Sequence, residues 1–431
     1  MRLTVGEMLA RALYSLAVHL ALPFAVLHLL WRSRQEPAYR RHWRQRLGGV
    51  PRRQDDAPLI WLHCVSLGET RAAVPLVDAL GARYPGHRLL LTHATPTGWA
   101  AGEALFGDRV ARLWLPYDTP GAVARFLDRQ KPTLGLLLET ELWPNLALGC
   151  ARRGVPLLLV NGRLSQRSAR GYRRLAVLSR LTLRALAAVL AQSEADAARL
   201  RTLGAQSVCV TGNLKFDIEP PPAQLALGDD FRQRIGARAV LLCASTRAGE
   251  EALLLDAWCR LTPQQRGEVL LVIVPRHPER FAEVADLAAM RGFAVERRSQ
   301  HGTPGAGCTV WVGDSLGEMY AYYRAADVVL MGGSVLDYGC QNLIEPCALG
   351  KPVLLGPSVF NFAAAAGAAL AAGAAWQGGS AAELLAVALD LCHDLARRTA
   401  MGERALAFAA DHRGATQRTL ARIAPFLTAG Q

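Results

Sequence analysis

The stretch PLIWLHCVSLGETRAAVPLVDALGARY, residues 58–84, decides the fold. It opens on an unbroken apolar run, Leu59 to Leu62, turns through Ser66, Leu67 and Gly68, and continues in the helical pattern TRAAVPLVDALGARY. A continuous apolar run reads as a strand buried on both faces, and such strands belong to parallel sheets covered by helices. Glu69 stands where strand becomes helix. A carboxylate there can simply cap the helix dipole, or it can be a general base, ionised by that dipole and facing a cleft.

The same unit recurs along the chain. HRLLLTHA leads into PTGWAAGEALFG, ARLWLP into GAVARFLDRQ, and TLGLLLE into ELWPNLALGCARRG; VPLLLVNGR precedes a long arginine-rich helical stretch, with AAVLAQS and SVCVTGN after it. DIEPPPAQLALGDD (217–230) interrupts the rhythm with consecutive prolines and reads as a linker, assigned to residues 219–230. The alternation then restarts through AVLLCAS, EVLLVIVPRHPERF, CTVWVGD, AADVVLMGGS and KPVLLGPS, and ends in alanine-rich helices. The expected architecture is α/β: two Rossmann-like doubly wound domains, 32–218 and 231–431, facing a central cleft, behind an N-terminal hydrophobic segment at 1–31. Ligands of such sheets bind beyond the carboxyl ends of the strands, so the informative residues should follow the apolar runs.

With 431 residues, 51% apolar and 20% charged, the chain can bury two full cores and is neither disordered nor collagenous. Nine cysteines, an odd number with no C-x-x-C pair, read as small buried hydrophobes in a reducing compartment. No G-x-G-x-x-G follows a strand, and GKP at 350–352 has proline where a phosphate loop needs serine or threonine. Metal-ligand spacing and a D-x-D are absent too, so no metal or other cofactor is expected.

The net charge of +13 is uneven. Arg32, Arg34, Arg40, Arg41, Arg44, Arg46, Arg52 and Arg53 lie between Trp31 and Asp55 against a single acid, Glu36. They follow ALYSLAVHLALPFAVLHLLW (12–31), which matches the roughly 20 apolar residues that cross a bilayer. The positive charge follows the run and no A-x-A-like site closes it, unlike a cleaved signal peptide. His19, Pro23 and His28 interrupt it, so the segment either spans the membrane or lies in its plane. Arginine at that flank favours the cytoplasmic side and anionic lipid. No aromatic-interleaved basic stripe suggests nucleic acid as a partner.

Several loops could carry chemistry. Glu139 and Glu141, in LLLETELWPN (136–145), emerge from an apolar run, where carboxylates are costly unless paired or needed. Trp143 reads as packing. Lys215, in GNLKFD (212–217), is one of three lysines among 49 basic residues, which suggests a site wanting a compact ammonium; Asp217 could be its partner or a turn residue. The basic NGRLSQRSARGYRR (161–174) is either a solvated face or a lipid-phosphate site. In the second half, Arg276 follows a strand in VPRHPERF, VGDSLGEMYAYY opens a helix at Gly317 and Glu318, and GGSVLDYGCQNLIEP carries Asn342 and Glu345. Glycines at helix starts with a forward arginine suit a phosphate without a metal, and Glu345 or Glu318 suits a ribose diol.

Taken together, AYRRHWRQRLG, SLGE, ETELWPN, NGRLSQRSARGY, GNLKFD, PRHPERF, GDSLGEM and GGS…QNLIEP resemble the 3-deoxy-D-manno-octulosonic acid (Kdo) transferases over nearly the whole chain. The resemblance implies a GT-B fold whose last helix crosses back to the first domain. The activity it implies is metal-free, inverting transfer of Kdo from CMP-Kdo to a lipid A precursor (lipid IVA), at the cytoplasmic face of the inner membrane. It makes Glu69 the general base and sets Glu139 and Lys215 to support the transition state. Pro275, Arg276, Leu316, Gly317, Glu318, Asn342, Leu343, Ile344 and Glu345 then line the CMP site. Cys340 and Gln341 replace the family's usual Gly-His. The rival readings are a GT-B enzyme using a UDP-sugar, an inactive membrane-anchored binding protein, and a nucleotide-sugar epimerase.

Overall fold

The computed structural model describes residues 3–267 and 269–428. The chain forms two compact units: 1–218 together with 414–431, and 219–413.

In the first unit β1 (Leu59–His63), β2 (Arg88–His93), β3 (Ala111–Trp114), β4 (Leu134–Leu138), β5 (Leu157–Gly162), β6 (Ala188–Ala191) and β7 (Val208–Val210) form one parallel sheet. Its order is β3-β2-β1-β4-β5-β6-β7. Successive residues face opposite layers. Leu59, Trp61 and Leu137 join one core; Ile60, Leu62, Leu136 and Leu138 join the other. Trp61 lies over Gly135 on the neighbouring strand, where a Cβ would come within 3.0 Å of the indole. The connections run one way from β1 and the other way from β4, so these adjacent strands mark the switch point where doubly wound sheets bind ligands.

The second unit repeats the plan with β8 (Val240–Thr246), β9 (Leu270–Pro275), β10 (Val295–Arg297), β11 (Val310–Val312), β12 (Val328–Met331), β13 (Val353–Leu355) and β14 (Ala375–Gln377). The order is β10-β11-β9-β8-β12-β13-β14, all parallel, with β8 and β12 adjacent.

The linker assignment needs correction. Residues Pro222–Ile235 are a helix with proline at its start, and Gly228, Phe231 and Ile235 are buried. Phe231 packs on Trp311 and Tyr322, and Arg324 pairs with Asp229 at 2.7 Å. Proline pre-sets the first helical turn as readily as it breaks a later one, which is why the triple proline misled. The closing helix, Ala415–Thr428, belongs to the first unit: Ala415, Leu420 and Ile423 join the core that holds Leu76, Val77 and Leu80. Asp217 caps it by accepting from the Gly414 and Thr416 amides at 2.7 and 2.6 Å. It is thus more than a turn residue.

Helix α1 (Val5–Arg32) begins with a reciprocal cap between Thr4 and Glu7. Among the described residues it is the one helix long and apolar enough to cross a membrane. Leu9, Leu13, Leu16, Leu20, Phe24 and Leu27 are exposed along one side. The opposite side is not: Glu7 and Leu29 are buried, and Tyr14, Ser15, Val18, Leu22 and Val26 are half-buried. The arginine-rich segment beyond is less uniform than its composition suggests. Arg46 is buried with its guanidinium 4.1 Å from the Trp114 ring, while Arg32, Arg34, Arg40, Arg41, Arg44 and Arg52 are exposed.

Candidate active site

Glu69 sits in the first turn of α2 (Leu67–Ala72), just past β1; α3 (Val74–Arg83) follows directly. One carboxyl oxygen accepts from the Val65 amide at 2.7 Å and the other from the Ser66 hydroxyl at 3.2 Å. It forms no ion pair among the described residues. The expectation of an ionised carboxylate needs correction. Burial, then the nearby charge of Glu139, raises its pKa to about 8, against the opposing Val65 and Ser66 hydrogen bonds. Desolvation outweighs the start of a six-residue helix.

Glu139 and Glu141 come from the loop after β4, the other strand of the switch point. Glu139 adopts φ +57°, a left-handed conformation that is uncommon for a non-glycine residue. Its amide donates to the Val160 carbonyl at 3.0 Å, and a carboxyl oxygen accepts from Lys215 Nζ at 2.9 Å. Burial opposes its ionisation, but the Lys215 charge and hydrogen bond, with Arg163 behind them, hold its pKa below the usual value. Lys215 is placed by a turn in which Asn213 accepts from the Lys215 amide at 3.0 Å and Asn161 accepts from the Leu214 amide at 3.1 Å. Glu141 accepts from the Trp143 indole N–H at 2.7 Å; burial first, then Glu139, raises its pKa to about 7. Trp143 therefore does more than pack.

The sequence reading passed over His63, although it opens the SLGE loop. It is fully buried, and Nδ1 lies 3.0 Å from the Thr92 carbonyl. Its unpartnered Nε2 is 3.9 Å from Glu141. Burial drives its pKa down to about 3, so the ring is neutral at physiological pH. The first unit thus assembles a proton-holding carboxyl, an ionised carboxylate with its ammonium, and a neutral imidazole.

In the second unit the expected donor-binding residues lie in the loops after β9, β11 and β12. Pro275 ends β9, and the exposed Arg276 donates its amide to the Thr246 carbonyl at 2.9 Å. Leu316 is 73% exposed, and Gly317 has φ +82°. The Glu318 carboxylate is engaged within the unit by Arg298, both bonds at 3.1 Å, and by Ser315 at 2.5 Å. Asn342 accepts from the Ile344 amide at 3.2 Å, and Glu345 is half-buried. Leu343 and Ile344 are buried, backbone included, so neither is presented to a ligand in this structure. Cys340 has φ +71°, a left-handed conformation that glycine adopts without strain.

Glu250 was also missed. It is 0% exposed and accepts from four backbone amides: Arg247 at 2.8, Gly333 at 2.7, Val335 at 2.9 and Leu336 at 3.3 Å. It ties the loop after β8 to the glycine loop after β12, where a Cβ on Gly332 would meet the Ser245 carbonyl oxygen at 2.4 Å. The available signal was RAGE (247–250), which repeats the placement of SLGE (66–69) after the first strand of its sheet. Glu250→Gln offers one oxygen where two are used. Chemical unfolding should show Glu250→Gln less stable by about 1.5–3 kcal/mol, the scale of one hydrogen bond to a charged group.

The family profile and the sequence relatives agree on one family. The profile described as 3-deoxy-D-manno-octulosonic-acid transferase (kdotransferase) matches residues 41–218. The 3-deoxy-D-manno-octulosonic acid transferase of Bordetella pertussis is 45% identical, over 97% of this chain and 100% of its own length. That of Haemophilus influenzae is 32% identical, over 97% and 99%. Among solved structures, the UDP-GlcNAc 2-epimerase of Neisseria meningitidis bound to UDP-GlcNAc has a TM-score of 0.59 at 17% identity, covering 86% of this chain and 99% of that one. Anabaena Alr3699/HepE in complex with UDP has a TM-score of 0.60 at 15% identity, over 86% and 100%. At such identities the likeness is one of fold, which is GT-B. With the carboxyl cluster at one switch point, the tied loops at the other and near full-length identity to named relatives, this chain belongs to the 3-deoxy-D-manno-octulosonic acid transferase family of glycosyltransferases.

Proposed function

We propose that the protein transfers Kdo from CMP-Kdo to a lipid A precursor, with inversion at the anomeric carbon and without a metal ion. Glu69, unpaired with any cation among the described residues, is the observation that carries this reading. In its deprotonated form it takes the proton of a primary sugar hydroxyl, whose oxygen then displaces CMP in line. CMP leaves as a phosphate and needs no protonation, so one base suffices. The Lys215 ammonium, held by Glu139, meets the charge that develops on the departing group. The loops organised by Glu250 hold the cytidylate through Arg276 and Asn342.

The acceptor places the enzyme at the cytoplasmic face of the inner membrane. The covered stripe of α1 from Glu7 to Leu29, buried at its ends and half-buried between them, is about 33 Å long at the helical rise of about 1.5 Å per residue. A helix lined along that length by its own protein lies in the membrane plane, apolar side down, with the exposed arginines on anionic headgroups.

The test is a mass-spectrometric assay in detergent, with CMP-Kdo generated in situ and a tetra-acylated lipid A precursor. A product heavier by Kdo is expected, together with tighter binding of CMP than of UDP. Equal binding of the two nucleotides with no product would sink the proposal.

A further inference from the structure

Helix α1 does more than rest on the first unit; it is hydrogen-bonded into the segment that carries Glu139 and Glu141. Tyr14 donates its hydroxyl to Asp118 at 3.0 Å. Ser15 Oγ and Arg11 Nε donate to Asn145 Oδ1 at 3.1 and 3.3 Å. Both recipients are deeply buried, Asp118 at 4% and Asn145 at 2% exposure. They are bonded to each other: Asn145 Nδ2 donates to the Asp118 carbonyl at 2.7 Å. Asp118 also accepts from the Asn145 and Leu146 amides, at 2.9 and 2.8 Å. Those two amides open the helix Pro144–Arg152, whose first residue directly follows Trp143, the indole that holds Glu141.

Glu139 keeps a left-handed backbone in this segment, and such a conformation persists only where its surroundings over-determine it. One end of the segment is fixed by β4. The other end is fixed by Asp118 and Asn145, and the side chains completing the hydrogen bonding of that pair come from α1. An apolar helix needed only for attachment has no use for a polar face reaching two buried side chains. The apolar residues on its other face would serve attachment equally well without it.

We propose that α1 is a working part of the catalytic unit, with Tyr14 and Ser15 as positioning residues that act through Asp118 and Asn145 to hold Glu139–Trp143 in its reactive geometry. The inference rests on the transfer reaction proposed above. It is tested on the full chain in detergent micelles with the double variant Tyr14→Phe/Ser15→Ala. Its kcat should fall about tenfold, the scale of a small misplacement of reacting groups, with KM for CMP-Kdo and partition into anionic vesicles unchanged. Hydrogen exchange at the Asn145 and Leu146 amides should rise about tenfold, as expected when a supporting hydrogen bond is lost. Ser15→Thr, which keeps a hydroxyl, should retain wild-type kcat. On the exposed face, Leu13→Ser/Leu20→Ser should show the converse: lost vesicle binding with unchanged kcat in micelles. Wild-type kcat in Tyr14→Phe/Ser15→Ala, or a lowered kcat with unaltered exchange at both amides, would overturn the proposal. If the wild-type protein forms no Kdo-containing product, the transfer reading alone fails, and exchange at the two amides then decides the positioning claim.

Discussion

Replacing Glu69 with glutamine lowers kcat by about 10²- to 10⁴-fold, the range that a positioned general base contributes, and leaves CMP-Kdo binding near its wild-type value. The substitution keeps the side chain's shape and an oxygen for the Val65 amide, so the loop should survive. The pH dependence carries the rest of the argument. With its pKa raised to about 8, Glu69 holds a proton over most of the neutral range, and only the deprotonated fraction can act. In wild type, kcat/KM should therefore climb about tenfold per pH unit toward 8 and level off above it; in Glu69→Gln the residual rate should lack that limb. Stability runs in the opposite sense. A carboxyl whose pKa is raised by folding contributes stability that is present below its unfolded value of 4.5 and is lost as pH rises through 8. Thermal melts should thus show Glu69→Gln at least as stable as wild type at pH 8.5. A variant that is inactive and also less stable at that pH would point to structural damage instead of a missing base.

The second large effect belongs to Lys215. Changing it to methionine removes the ammonium 2.9 Å from Glu139 and leaves a largely buried carboxylate in a left-handed backbone. Breaking a buried pair costs about 3 kcal/mol at the low end; this pair keeps some solvent contact and Arg163 stands nearby, so about 1–3 kcal/mol is expected in chemical unfolding. Adding Glu139→Gln should return most of that stability, because the stranded charge is gone. Activity should not return. Both Lys215→Met and Lys215→Met/Glu139→Gln should stay about 10²-fold or more below wild type in kcat, since the charge that meets the leaving group is absent from each. Recovery of turnover along with stability in the double variant would make the pair merely structural.

Much of the fold was legible because most strands are apolar runs with a loop and a helix behind them, and both sheets repeat that arrangement; β10 (VER) and β14 (AWQ) carry no such run and were not read. The places where reading failed have local physical causes. The stretch from Glu219 read as a linker because proline has one signature at a break and the same signature at a helix start. Glu69 and Glu250 look alike in SLGE and RAGE, yet one accepts from a single amide and a hydroxyl beside the charge of Glu139, and the other is consumed by four amides. That difference is made largely by residues distant in sequence, such as Gly333 on the Glu250 side. His63, Asp118 and Asn145 likewise acquire their meaning from partners brought near by folding. The protonation of Glu69 could not be read at all, because desolvation depends on what covers a group.

The cap that Asp217 places on Ala415–Thr428 bears on how the protein is made. The second unit occupies an uninterrupted segment of chain and can close its sheet as soon as residue 413 leaves the ribosome. The first unit, begun earlier, stays open until Leu420 and Ile423 arrive to cover Leu76 and Leu80. Synthesis and completion therefore run in opposite order, and the nascent half that bears the base waits with an uncovered apolar face, a natural client for a chaperone.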